Sequence, residues 1–205
     1  MKALRFVLFS AIMAFAIASC KNNTPAVEEG SSNAKLSGHF TTSGDIKWSA
    51  QGVGHGHNGT VAISNSDVTF TDGVLSGANF TVDMKSMKAE DLAGDSVQHA
   101  KLIGHLMAPD FFGVDSFPTA TFTMKSLANN EVTGDMTIKG ITNSVKFPVT
   151  IVEDSAGFAI SGNLDVDRTF YNVQFGSAKF FDIKKLGDHL VEDIIKLSFE
   201  LKGNK

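Results

Sequence analysis

His55 and His57, two residues apart, are the first side chains in this chain whose types and spacing suit chemistry. On an extended strand they would project from one face, where paired imidazoles chelate a divalent metal. A further ligand would have to come from a distant part of the chain, and glycines on both sides of the pair suit a turn. A metal-assisted enzyme built on His55 and His57 is one reading, and it requires a stoichiometric metal. His105 and Asp110 have the residue types of an acid–base pair, but Pro109 between them and the Phe111-Phe112 pair after them suit a capped turn better. Arg168 is a different case, because apart from Arg5 every other fixed cation is Lys. A guanidinium fork grips a carboxylate at two points, which an ammonium cannot do. Two roles stay open for Arg168: a structural pair with Asp165, Asp167 or Asp110, or a polar contact to a ligand head group. No Ser nucleophile motif, paired-carboxylate arrangement or phosphate-cradling glycine loop accompanies these residues. The sequence therefore reads as non-enzymatic, with neither a cofactor nor a metal expected.

The elements that must carry any site are strands, because apolar and polar residues alternate with a period of two through most of the chain. Phe80, Val82 and Met84 share one face, as do Ala120, Phe122 and Met124, and Val132, Met136 and Ile138. Val145, Phe147, Val149 and Ile151 follow, then Phe158, Ile160 and Leu164, and finally Ile195, Leu197, Phe199 and Leu201. Shorter strands are predicted at residues 46–51, 60–64 and 68–71, for a total of about eight or nine. Strands with one apolar face either stack as a sandwich or close as a barrel, and closure removes the edges that template aggregation. One interruption is helical: over residues 94–107, Ala100, Ile103 and Met107 fall on one face, with Asp95 or Ser96 as N-cap. This helix and the turn at 109–113 are expected over one end of the barrel. Gly134, Gly140 and Gly162 would relieve crowding where strands coil or a ligand approaches.

The inward faces are rich in Phe and Met. Either they line a lumen for an apolar chain, or they fill it, since eight strands enclose space for side chains or one small ligand. Seventeen Phe against one Trp and one Tyr favour a large dry interior over a wet interface. At 205 residues the chain suits one substantial core.

The N-terminus reads as a processing signal. Lys2 and Arg5 precede an apolar run at residues 7–18, which ends in small residues before Cys20. This pattern is that of a bacterial lipoprotein signal, with residues 1–19 removed and Cys20 acylated. Cys20 is the only cysteine, so the mature chain has no disulfide and no thiol-based site. Residues 20–35 lack apolar periodicity and read as a flexible tether, leaving 36–205 as the folded domain. Loss of Lys2 and Arg5 takes the net charge from −4 to −6, a poor balance for binding nucleic acid. Membrane contact is expected through the acyl anchor.

Three blocks carry a family resemblance. Residues 105–122, HLMAPDFFGVDSFPTATF, resemble the central signature of the YceI-like family, with His105, Leu106, Asp110, Phe111, Phe112, Phe117, Pro118, Ala120 and Phe122 at its fixed positions. Residues 132–148, VTGDMTIKGITNSVKFP, are similar to the family's hairpin, with Met136 the one departure, and residues 167–176, DRTFYNVQFG, to its C-terminal segment. Trp48 and residues 57–61 resemble the opening strands of a lipid-anchored subgroup. The resemblance implies an all-β, antiparallel, lipocalin-like barrel whose lumen holds a long apolar molecule, with isoprenoids the usual ligands. Under that reading the lumen-lining residues are Phe80, Val82, Met84, Phe122, Met124, Met136, Phe147, Phe158, Ile160, Leu197 and Phe199, assigned by alternation. The function expected is an envelope lipoprotein that binds a polyisoprenoid or similar lipid. The alternative is a non-enzymatic envelope interaction module with a packed barrel, and a homodimer stays open. Lys21 after Cys20 is not an Asp-type retention signal, which points to the outer membrane, facing the periplasm or the surface.

Overall fold

The structure, a computed structural model, describes residues 35–205. The expected signal peptide, Cys20 and nearly all of the expected tether lie outside the described residues. The period-two segments form antiparallel strands: β1 (Gly38–Phe40), β2 (Asp45–Gly52), β3 (His55–Thr71), β4 (Val74–Asp83), β5 (Lys88–Ala89), β6 (Thr119–Ala128), β7 (Glu131–Ile138), β8 (Ile141–Glu153), β9 (Gly157–Asp167) and β10 (Ile194–Asn204). Neighbours run in the order β3-β2-β10-β9-β8-β7-β6-β4, and β4 pairs back onto β3, closing an eight-stranded barrel. Among the described residues, all the strands and both apolar clusters lie within the compact unit Lys35–Lys205, which carries this core.

Closure depends on β3. Its first half pairs with β2, from Asp45↔Ala62 to Gly52↔His55, and its second half with β4, from Ile63↔Val82 to Thr71↔Val74. The short β5 and β1 take the vacated edges, at Gly59–Thr60 and Val68–Phe70. The sequence predicts two strands here, at 60–64 and 68–71, with Asn65-Ser66-Asp67 between them. Instead these residues continue one 17-residue strand through a register shift between Ile63 and Asn65. Ser66 is buried there without penalty: its Oγ accepts from the Thr42 N–H at 2.7 Å and donates to the Thr42 carbonyl at 3.2 Å.

Tight hairpins follow local chemistry. Asp72-Gly73, Asn129-Asn130 and Lys139-Gly140 each place two consecutive residues at positive φ, the geometry of a two-residue hairpin turn matched to strand twist. At one end of the barrel, Phe40, Phe70 and Phe158 pack with ring centroids 4.8–6.1 Å apart and close it. The longer connections crowd the other end. There α1 (Ser96–Met107) begins at Asp95, whose carboxylate accepts from the Val97 and Gln98 N–H groups at 3.1 and 3.0 Å. Its inner face is Leu102, Ile103, Leu106 and Met107, whereas Ala100, expected inside, is exposed. Ile103 and Met107 face inward as predicted, and Leu102 and Leu106 complete the stripe. Met84, expected on a strand, lies in a 3-10 turn just past β4.

The connection from β9 to β10, which includes α2 (Ile183–Leu186), is strapped down by Arg168. This side chain is 1% exposed. Its Nε, Nη1 and Nη2 donate to the carbonyls of Glu192, Val173 and Val191 at 3.0, 2.8 and 3.0 Å. The nearest carboxylate is Asp193, 3.6 Å from Nη2, so the partners are three carbonyls and Asp193, not Asp165, Asp167 or Asp110. Next to it, burial pushes the Asp167 carboxyl up, but hydrogen bonds from Lys179 and Thr169 outweigh this and hold it below its ordinary value. Arg168→Lys would strand two of the three carbonyls in a dry site. We predict a loss of about 3 kcal/mol in chemical denaturation, and a change below about 0.5 kcal/mol would contradict the strap.

Candidate functional site

The barrel encloses a cavity of about 180 Å³ whose wall draws on every one of its eight strands. From β2 come Ile46, Trp48 and Ala50, from β8 Phe147 and Val149, and from β10 Ile195, Leu197, Phe199 and Leu201. Leu106 of α1 and Phe111 and Phe112 of the following turn reach into the same wall, so the helix and its turn form a lid. Thr121 is the one lining residue of polar type. The cavity therefore offers shape and dryness and almost no hydrogen bonding.

The structure places most of the sequence-predicted lining residues on this wall. Phe80, Val82, Met84, Phe122, Met124, Met136, Phe147, Ile160, Leu197 and Phe199 all line the cavity. Phe158 does not. It is buried, but it packs on Phe40 and Phe70 at the closed end, so alternation gave its face correctly and its depth wrongly. Two predicted glycines make room for the wall: a Cβ at Gly134 would sit 2.5 Å from Phe122 Cζ, and one at Gly162 2.7 Å from Phe199 Cζ. Gly140 instead takes the second position of the β7–β8 turn at φ +75°.

Sequence reasoning missed the lid residues and the β2 and β3 contributions. Ile46, Trp48 and Ala50, and Val61 and Ile63, obey the same period of two and were open to the same argument. Phe111 and Phe112 had no such signal, since a turn has no periodicity to read, and Leu106 lies on α1 beside the residues assigned to its inner face.

The polar candidates lie elsewhere. His57 Nδ1 is 2.7 Å from Asp91, which also accepts from the Asn58 N–H at 3.0 Å, while His55 Nδ1 is 2.8 Å from the Val53 carbonyl. Burial raises the Asp91 carboxyl, but the bonds from His57 and Asn58 bring it below its ordinary value. Among the described residues no three His, Cys, Asp or Glu side chains converge as a metal site. The His105 ring packs against Phe175 at 4.4 Å and Phe111 at 5.6 Å, as part of the lid core and not as a partner of Asp110. Arg168 is not on the cavity wall. A lysine unremarked in the sequence fastens the lid. Lys139, at the tip of the β7–β8 hairpin, donates from Nζ to the carbonyls of Pro109, Phe111 and Asn172 at 2.8, 2.7 and 3.2 Å. Burial draws its pKa below the ordinary lysine value, against the charge of Asp110.

Comparison with known proteins places this geometry. Burkholderia cenocepacia BcnA matches with a TM-score of 0.61 and 23% identity, over 78% of this chain and 95% of that one. A polyisoprenoid binding domain from Saccharophagus degradans matches with a TM-score of 0.59 and 9% identity, over 82% and 99%. These likenesses establish a shared fold. The UPF0312 protein SAB2563 of Staphylococcus aureus is 39% identical over 83 residues, 36% of this chain, and the matched stretch spans about half (47%) of that relative's length. The YceI-like domain model matches residues 22–203, and this chain therefore belongs to the YceI-like domain family.

Proposed function

We propose that this chain is an envelope lipoprotein, acylated at Cys20, that holds a long apolar or amphipathic lipid of polyisoprenoid type in its barrel lumen. The observation that carries this reading is a continuous apolar wall, contributed by all eight strands and the lid, with Thr121 as its sole polar residue. Such a wall binds by removing apolar surface from water, at roughly 25 cal/mol per Å². It selects against groups that need hydrogen bonds. Fold kinship with a polyisoprenoid binding domain supports the ligand class. The lipoprotein signal ending at Cys20 supports an anchored place in the envelope, and Lys21 supports the outer membrane.

The volume defines what binding must involve. About 180 Å³ holds a guest of roughly aromatic-ring size, well short of a polyprenyl chain. A longer ligand has to displace wall side chains, and Met84, Met87, Met124 and Met136 are the flexible ones among them. The same small volume favours a second reading, a side-chain-packed barrel acting as a non-enzymatic interaction module. Trp48 distinguishes the two, because its ring is part of the wall.

On the lipid reading, titration with a polyprenyl alcohol or polyprenyl phosphate changes Trp48 fluorescence saturably in the domain of residues 35–205. Ala120→Leu, which fills the lumen, abolishes that change while the fold stays intact. Phe158→Leu lowers stability by about 1–2 kcal/mol and leaves the titration unaltered, because residue 158 is off the wall. An Ala120→Leu variant that binds as well as the parent would contradict the lumen as the site. Lys139→Met removes the lid's three hydrogen bonds. Ligand release should quicken by about tenfold or more, given roughly 1.5–3 kcal/mol for a hydrogen bond to a charged group. Unchanged release, followed by stopped-flow Trp48 fluorescence, would show that ligand does not pass the lid.

A further inference from the structure

Large apolar side chains left in solvent are unevenly placed on this barrel. Among the described residues, only Val74 and Val152 of the exposed ones lie toward the closed end, on β4 and β8. The densest group is at the lidded mouth, on the connection from β9 to β10: Phe170 is 65% exposed, Phe180 46%, Phe181 50% and Ile183 60%. The same connection is continuous with the lid, since its Asn172 carbonyl accepts from Lys139 and its Phe175 ring packs on His105. Four large side chains on one segment in water forgo burial that the fold supplies elsewhere, a pattern that marks a surface built to be covered.

The polar residues on this segment indicate what covers it. Lys179 Nζ lies 5.5 Å from the Phe170 ring centroid and is held there by Asp167 at 2.6 Å. Lys184 and Lys185 follow on α2, and neither makes an ion pair among the described residues. Asp182 is engaged in capping α2 through the Lys184 N–H at 2.9 Å. Exposed rings interleaved with lysines suit a bilayer surface, with rings at the acyl boundary and ammonium groups among the phosphates. Chain reach permits it. The described chain begins beside the closed end, where the Leu36 carbonyl accepts from the Gly73 N–H at 2.8 Å. The sixteen residues from Cys20 to Lys35 span up to about 50 Å, against roughly 37 Å along the eleven-residue β9. A chain anchored at Cys20 can therefore turn its mouth toward the same membrane.

We propose that residues 170–185 dock the mouth of the barrel onto a bilayer containing anionic lipid, so that apolar chains pass between bilayer and lumen without crossing water. This inference rests on the lumen reading above. The test is sedimentation of the domain of residues 35–205 with phosphatidylcholine vesicles, with and without phosphatidylglycerol. The parent domain is expected to sediment with the phosphatidylglycerol vesicles. Phe180→Ser with Phe181→Ser should weaken this by about tenfold or more, and Val74→Ser with Val152→Ser should leave it unchanged. Lys184→Glu with Lys185→Glu should abolish the preference for phosphatidylglycerol. The proposal is overturned if the parent stays in the supernatant with both vesicle types, or if the Phe variant sediments like the parent. It is also overturned if the Phe pair instead converts a solution dimer to a monomer, which would make a second copy the occupant. The Trp48 titration separates the two claims: a Phe variant that loses vesicles but keeps the titration leaves the lumen standing, and vesicle binding without any titration leaves only the docking surface.

Discussion

Closure of the sheet rests on one strand that serves both edges. Because β3 pairs with β2 along its first half and with β4 along its second, the eight long strands have no free ends among themselves. A closed sheet has an inside, and the period of two then sends every second side chain there. Closure and alternation together produce a wall that is apolar from strand to strand, with glycines at 134 and 162 where Phe122 and Phe199 need the room. The register shift at Ile63/Asn65 and the Ser66–Thr42 bonds let one chain segment turn that corner without stranding a buried polar group.

The two most distinctive stretches of sequence are fittings of the barrel's mouth. The block from His105 to Phe122 supplies the last turn of α1, the buried Leu106 and Phe111, the wall residue Phe112 and the start of β6. The block from Asp167 to Gly176 supplies the cap of the next turn, the Arg168 strap, and Phe175, which meets His105 across the lid. Lys139 ties both blocks to the β7–β8 hairpin through the carbonyls of Phe111 and Asn172. Of the polar candidates in the sequence, Arg168 fastens backbone carbonyls beside the mouth, and His105 packs between aromatic rings in the lid core.

Much of this was legible beforehand, and the limits have physical causes. Alternation fixes a face, so Phe147, Phe199 and Met136 could be assigned to the interior, and the YceI-like blocks agreed with a closed sheet. Alternation says nothing of depth, which is why Phe158 was assigned to the lumen although it packs on Phe40 and Phe70 at the closed end. Nor does it survive a bulge, so polar residues 65–67 divided β3 in two. In α1 helical spacing gave Ile103 and Met107 the inner face they take, but Ala100 lies in solvent, and the larger Leu102 and Leu106 pack inward. The partners of Arg168 were unreadable because they are backbone carbonyls of residues 173, 191 and 192, and only the fold brings those within reach.

A lumen that holds a long apolar lipid has to let its wall give way, since about 180 Å³ is too little for such a chain at rest. Mass spectrometry of an organic extract tests lipid occupancy most directly, using residues 35–205 expressed in a bacterial host, purified without detergent and compared with a mock preparation. A single polyprenyl-type species at one per domain is the result this account predicts. An extract no different from the mock, from a domain whose Trp48 fluorescence is also indifferent to added polyprenyl lipid, would contradict it and leave a barrel filled by its own side chains.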